Sequence, residues 1–527
     1  MSQKPHVLFQ TEGSYPFSGG GVSTWAHILC SELQDKVDFT ILAITGNPVV
    51  EPRYRLTENV RSVIHVPLWG AEEPVQYFDR NQPFSEHIQR KGRTTDETVR
   101  KYFFPLFRDF LSGLLNPLGP ASEFGEVIYG FWKYYRYFDY KKTLSNSLVW
   151  IEFKDQLKEK YEALEAFEIE EQAPQVFDVT FGMRWLYHFM MALAVPIPDV
   201  SLTHSTIAGF PTISSIAAKY EYGIPSILTD HGVFIRERLI NVSREDFPYF
   251  SKKLLIDLGT YITRAAYSHA DLIAPVTSVN KKWETLYEAE EQRIDPIYNG
   301  VDTDLFKPTP KPDRTAGRPT VVAAAHVFPL KDIETMIRCC DLVRRDIPDV
   351  QFILYGGLDV DPGYTKQCKK LAGKLDLGEH FVFGGFHDAP QKLFNEGDIS
   401  ILSSISEGFP YTVIESMSCA RPVVATDVGG IREALEGCGI LCQPRNPQDL
   451  ADGVIKLLSD DQLRIDLGRK ARERVLLKYT IEKSVNRYYE VYKRMHQKER
   501  EPIKERVSLP SVRRIVEFEE KSETVYA

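Results

Sequence analysis

Short apolar runs bounded by turn residues dominate both ends of this chain. In the first part "HVLFQT" (6–11), "VDFTILAIT" (37–45), "SLTHST" (201–206), "PSILTDHG" (225–232) and "DLIAPVT" (271–277) have the length and β-branched content of buried strands. Between the first two lies "EGSYPFSGGGVSTWAHILCSEL", a glycine-rich turn followed by helical spacing of Trp25, Ile28, Leu29 and Leu33. Strand, loop, helix and strand in that order predict a βαβ unit, the building block of a parallel sheet. From about residue 70 to 200 the pattern changes to aromatic-rich helical segments such as "YFFPLFRDFLSGLL" and "YGFWKYYRYFDYKK", which predict a helical insertion held by ring packing.

Residues 307–319, "KPTPKPDRTAGRP", combine proline, glycine and charge and read as a linker. Beyond it "TVVAAAHVF", "VQFILYGG", "HFVFGGF", "DISILSS", "RPVVAT" and "GILCQ" alternate with helical patterns, predicting a second parallel sheet. An apolar stripe of Ile481, Val485, Tyr488, Tyr489 and Tyr492 marks one face of a helix. The fold class expected is α/β, with two Rossmann-like domains facing across a cleft. The predicted bounds are 1–312 and 313–479, then a helix at 480–495 and a charged tail at 496–527.

With 527 residues, 43% of them hydrophobic and 26% charged, the chain has the composition of a multidomain globular protein. A formal charge of -9 argues against a nucleic-acid binder. No run approaches the roughly 18 apolar residues of a membrane span, and "MSQKPHVLFQTEGS" lacks the apolar core of a secretory signal. A cytosolic location is therefore expected. Seven cysteines without a CxxC fit reduced, buried thiols rather than disulfides or a zinc site.

Three stretches carry chemistry. Gly19, Gly20 and Gly21 lie where the first strand turns into a helix, so backbone N–H groups there can approach a phosphate with no Cβ in the way. The third position of a dinucleotide fingerprint is Thr24, and no GxxxxGK[ST] occurs, which disfavours a Rossmann dinucleotide site and an ATP-hydrolysing loop; a purely structural turn stays open. In "ISEGFPYTVIES", Glu407 and Glu415 stand eight apart, with Gly408, Phe409 and Pro410 between them. Pro410 suits the first position of a helix, whose free N–H groups would face an anion or a hydroxyl. A capping acid plus a surface acid would give the same pattern.

The glycine loop, "TDHG", "NGVD", Lys331 and the Glu407–Glu415 spacing follow the order found in family 4 glycosyltransferases, which have the GT-B fold. The chain resembles that family over nearly its whole length. It is most similar to the PelF group of exopolysaccharide glycosyltransferases through "TEGSYPFSGGGVSTW", "TDHGVFIRER", "FPLKDI" and "LSSISEGFPYTVIES". The resemblance implies that Glu415 binds the ribose hydroxyls and Glu407 sits by the donor sugar. It places the Gly408–Phe409–Pro410 backbone beside sugar and phosphate, Lys331 at the leaving diphosphate, and His231 facing the sugar. It also implies retention of anomeric configuration, a UDP-sugar donor, no cofactor and no metal, and a polysaccharide acceptor. A membrane-bound synthesis and export complex is a candidate partner, reached by a cytosolic chain peripheral to the membrane.

One position departs from the family. Where members carry an arginine five residues before the lysine, this chain has His326, which is shorter and lacks a bidentate fork. Arg236 and Arg238 are candidates to compensate. Two rival readings follow: a donor-binding subunit with weak or no turnover, and an epimerase or phosphorylase on the same fold.

Overall fold

The computed structural model describes residues 4–166, 171–387 and 389–526, with 520–526 as backbone. The chain divides into two compact units, one of residues 1–275, 281–295 and 489–527, the other of residues 276–280 and 296–488.

The first unit is built on a six-stranded parallel sheet: β1 (His6–Glu12), β2 (Asp38–Thr45), β3 (Val60–Pro67), β4 (Leu202–Ser205), β5 (Ser226–Leu228) and β6 (Leu272–Ile273). Their spatial order is β3-β2-β1-β4-β5-β6. The chain thus winds outward from β1 in one direction, then returns to β1's other side at β4. Loops at such a reversal part from each other and leave a crevice beyond the strand ends. The glycine loop follows β1 and therefore opens at that point. β3 is not evident in the sequence, because only its last two residues are buried and it lacks the continuous apolar run of its neighbours.

Between β3 and β4 the aromatic helices pack as expected. The helix Ala121–Tyr137 is buried over most of its length, and its rings stack on neighbours such as Tyr220 (5.1 Å from Tyr129) and Phe103 (5.6 Å from Phe131). Gly125 and Gly130 of this helix let His269 and Leu106 approach its backbone, which offsets the low helix propensity of glycine.

The second unit repeats the plan: β7 (Thr320–Ala324), β8 (Gln351–Tyr355), β9 (Phe381–Gly385), β10 (Ile399–Leu402), β11 (Val423–Thr426) and β12 (Ile440–Cys442), in the order β12-β11-β10-β7-β8-β9. Its switch point falls between β7 and β10, whose register pairs Ile399 with Val321. All seven cysteines are buried free thiols.

Two expectations need correction, on the linker and on the tail. Residues 307–319 do not separate the units but lie inside the second, whose continuous part starts at Pro296. The reason is side-chain anchorage: Lys311 reaches Asp398 at 2.7 Å, Arg314 pairs with Glu396, and Asn299 donates to the Phe409 carbonyl at 2.9 Å. The helix Ile481–His496 is shared, its residues to Tyr488 counting with the second unit and those from Tyr489 with the first. Finally, the charged tail is structured. Residues Pro510–Tyr526 form a helix whose buried Val512 and Ile515 pack with the aromatic insertion, and its Glu519 pairs with the buried Lys133.

Glu126 fastens that last helix. Its Oε2 accepts the N–H groups of Ser508 and Leu509, both at 2.8 Å, and its Oε1 accepts the Ser508 hydroxyl at 2.9 Å. Charge-assisted bonds to a buried carboxylate are worth more than ordinary ones. Glu126→Ala is expected to destabilise the first unit by roughly 3 kcal/mol; urea unfolding followed by ring fluorescence of the insertion will read this as an earlier first transition.

Candidate functional site

In the second unit, the loops after β7 and β10 leave the sheet at its switch point. The β7 loop carries His326 and a single helical turn, Pro329–Lys331; the β10 loop carries Ser403 to Pro410. Ser403 Oγ donates to the Lys331 carbonyl at 2.8 Å and Ile405 N–H to the Leu330 carbonyl at 2.9 Å, so the two loops are tied by backbone acceptors. Lys331 and Glu407, 76 residues apart, form an ion pair there, and Ser404 Oγ donates to the same Glu407 oxygen at 2.6 Å. Both side chains are largely covered, at 21% and 10% exposure, so the pair is shielded yet reachable.

Beneath Glu407 and Gly408 runs the segment Gly429–Gly430. Gly430 N–H donates to the Gly408 carbonyl at 2.7 Å. Gly429 has φ +56, and a Cβ there would run into the Glu407 carbonyl. The glycines thus shape the loop, a role that the sequence reading did not assign. On one flank Phe409 is buried against Tyr298 and Tyr479, with ring centroids at 5.4 and 5.0 Å.

The helix Tyr411–Ser418 follows, and Pro410 is its cap rather than its first residue, with ψ 128 in the extended region. A proline there still leaves the N–H groups of the first turn without intrahelical partners. Glu415 lies just over one turn inside. Its carboxylate has no hydrogen-bond partner among the described residues, and burial raises its pKa to about 7.

His326 is placed differently from a phosphate clamp. Gly357 N–H donates to its Nδ1 at 2.9 Å, and its ring lies 6.1 Å from that of Phe386. An acceptor at Nδ1 carries the neutral ring's proton on Nε2. The ring therefore supplies no fork and no fixed charge in this arrangement.

In the first unit, Gly20 caps the helix Gly21–Glu32 with φ +126, a conformation that side chains rarely adopt. The Arg53 guanidinium packs over Gly19, where a Cβ would come within 2.8 Å of its Nη1. Sequence reasoning missed Arg53 because its segment has no periodic signal. His231 lies edge-on to Trp25 with centroids 4.4 Å apart. Its Nε2 is buried without a partner among the described residues, and burial lowers its pKa to about 3, so it is neutral. By contrast His204 is a satisfied core histidine, bonded to Tyr492 Oη at 2.7 Å and Thr229 Oγ1 at 2.8 Å.

Next to His231 stands Asp230, fully buried, accepting from Tyr267 Oη at 2.6 Å. Glu284 is buried too, and neither of its carboxylate oxygens has a hydrogen-bond partner among the described residues. Burial raises both acids, and the Asp230 charge adds to the rise at Glu284. Of the two candidate compensating arginines, Arg238 lies 4.9 Å over the Phe234 ring and 3.8 Å from Glu12. Arg236 has Nε and Nη2 buried without partners among the described residues.

Comparisons with known proteins give the family and the fold. Residues 5–292 match the family described as "Domain of unknown function (DUF3492)", more than half of the chain, and residues 307–474 match "Glycosyl transferases group 1". The chain belongs to the DUF3492 family and carries a glycosyl transferases group 1 domain. Among curated relatives, N-acetyl-alpha-D-glucosaminyl L-malate synthase of Bacillus anthracis is 33% identical over 239 residues, 45% of this chain and 60% of that protein. An uncharacterised glycosyltransferase of Methanocaldococcus jannaschii is 28% identical over 301 residues, 56% of this chain and 76% of its own length. The chain spans between 45% and 65% of the length of the first four curated relatives it matches. Among solved structures, Anabaena Alr3699/HepE in complex with UDP aligns with a TM-score of 0.56 at 14% identity, over 93% of this chain and all of that one. Sucrose-phosphate synthase of Thermosynechococcus elongatus gives 0.56 at 17%, over 94% and 99%. At these identities the likeness establishes the fold, which is GT-B.

The buried acids of the first unit give a test. A carboxyl whose folded pKa is raised favours folding while it is neutral, fully so below the ordinary value near 4.5, and that contribution is lost as pH rises through the raised value. Glu284→Gln keeps the neutral form at every pH. Its melting temperature is expected to match the wild type at pH 4.5 and to exceed it at pH 8, measured by calorimetry.

Proposed function

We propose that this protein is a retaining glycosyltransferase that moves a hexose or N-acetylhexosamine from a UDP-sugar to a growing exopolysaccharide, as the resemblance to the PelF group implies. The observation that carries the reading is the Lys331–Glu407 pair at the switch point of the second sheet, with the partnerless Glu415 one helix turn beyond. A parallel sheet binds its ligand at that place.

In this reading Glu415 accepts the two ribose hydroxyls, and the first-turn N–H groups after Pro410 receive negative charge from the phosphates. Lys331 neutralises the leaving diphosphate without a metal ion. The bond from the anomeric carbon to phosphate breaks, the acceptor oxygen bonds to that carbon from the same face, and the hydroxyl proton passes to the departing phosphate. A fixed cation lowers that barrier because negative charge builds as the bond opens. Glu407, held between Lys331 and Ser404, takes the sugar hydroxyls. The parts of His231 and of Gly19, Gly20 and Gly21 are those the resemblance assigns; a neutral His231 acts as a hydrogen-bonding group rather than a charge. The acceptor, and any membrane-bound assembly that receives the polymer, rest on the resemblance too.

One observation favours the second reading, a donor-binding subunit of low turnover: His326 spends Nδ1 on Gly357. Incubation with UDP-glucose and UDP-N-acetylglucosamine separates the two, since release of UDP supports an enzyme and saturable binding without release supports the subunit.

Lys331→Ala is expected to lower kcat by about 100-fold or more while leaving the donor's binding within a few fold, because the charge it meets develops in the transition state. Wild-type turnover at saturating donor would remove Lys331 from the reaction. Glu415 makes a separate prediction for pH. With a pKa near 7 its binding-competent carboxylate grows as pH rises, so uridine affinity should increase roughly tenfold from pH 6 to pH 8. Glu415→Gln should bind weakly with a flat profile; calorimetric titration checks both.

A further inference from the structure

The helical insertion of the first unit contains a cluster outside the donor site. Glu73 on the loop after β3, His87 on the helix Phe84–Arg93 and Asp139 before the short helix Tyr140–Leu144 each turn one donor atom to a common point, all within 4.8 Å of one another. They line a cavity of about 20 Å³, room for one ion or one water. Asp79 and Tyr135 line the same cavity, at 4% and 1% exposure, and Asp79 Oδ1 and the Tyr135 hydroxyl have no hydrogen-bond partner among the described residues. Buried polar atoms left unsatisfied are costly and call for an occupant.

We infer that Glu73, His87 and Asp139 form a binding site for a divalent transition-metal ion, Zn²⁺ or Mn²⁺ in type, which staples three segments of the insertion. One imidazole and two carboxylates form a mixed N,O donor set suited to these ions. Bond lengths near 2.1 Å require the donors to close in by roughly half an ångström. Asp139 is already fixed: its N–H donates to Thr94 Oγ1 at 2.8 Å, and its Oδ1 accepts Lys142 N–H at 2.7 Å, leaving Oδ2 for the ion.

Charge supports the assignment. Lys91 lies 3.4 Å and Lys141 3.8 Å from the Glu73 carboxylate, and His87 Nε2 lies 3.8 Å from it. Both lysines are well exposed, at 39% and 40%, and ion pairs of that kind hold little energy, so they can swing into water. Arg90 stays, because it is buried and bonded to Asp79 Oδ2 at 2.8 Å. With the lysines withdrawn, three carboxylates stand against the guanidiniums of Arg90 and of Arg136, which interacts with Asp79 and Arg90, so the cluster keeps a net negative charge for a cation to meet. The site belongs to the fold rather than to sugar transfer, so it does not conflict with a metal-independent reaction.

The test uses the full-length chain, stripped with chelator and dialysed against Zn²⁺. Expected are one equivalent bound, a raised melting temperature, and affinity lowered about 100-fold or more in His87→Ala and in Asp139→Asn, consistent with loss of a ligand. His87 sits on an exposed helix, so its variant should fold; if it does not, Co²⁺ titration of the wild type replaces it. A visible absorption band of nitrogen and oxygen ligation, with no thiolate charge-transfer band, then supports the site. No bound equivalent, an equivalent kept by both variants, or a thiolate band would overturn it.

Discussion

A lysine held against a glutamate at the break in a parallel sheet sets the terms for the second unit. Lys331 and Glu407 meet because β7 and β10 are neighbours in space although β8 and β9 intervene in sequence. Their loops leave the same edge in opposite directions, and the pair spans the gap. Taking two charges partly out of water costs about as much as their attraction returns, so such a pair contributes little to stability. Its physical value is positional: it keeps an ammonium and a carboxylate from wandering, and in the proposed function the donor's phosphate and hydroxyls would meet both already in place. The glycines at 429 and 430 serve the same end, since any side chain at Gly429 would push the Glu407 backbone off its seat.

Legibility in the sequence followed the range of the interactions. Strands buried on both faces announce themselves by composition, which is why β1, β2, β7, β8, β10 and β11 are readable, and the partly exposed β9 and β12 by their short apolar runs, whereas half-exposed β3 is not. Lys331, Glu407 and Glu415 were nameable because a loop motif of fixed spacing carries them. Arg53 over Gly19, the Glu126 clasp and the bond from Thr277 Oγ1 to Glu433 at 2.7 Å were not, because each joins residues far apart in the chain without a local mark. The linker failed for a related reason. Proline and charge at 307–319 do describe an irregular segment, but only the partners Asp398 and Glu396 reveal that it is pinned down.

The two histidines nearest β5 show how burial alone divides roles. His204 has both nitrogens satisfied by Tyr492 and Thr229, and losing its charge costs the fold nothing. His231, a strand end away, is equally neutral but leaves Nε2 without a partner against the Trp25 ring. A buried polar atom without a bond is penalised by about 1 to 3 kcal/mol, so the two rings differ in energy although neither is charged. In the proposed function a hydroxyl of the donor sugar would recover that penalty.

Glu415 follows the same logic with a carboxylate. Its raised pKa means that the empty protein holds it half protonated near neutrality, which lessens the cost of keeping it covered. Two hydroxyls donating to it would favour the charged form and pull that pKa down, so ligand binding and proton release are linked there. In the proposed function the ribose end of the donor is therefore where a change of charge, and with it pH, would enter the affinity.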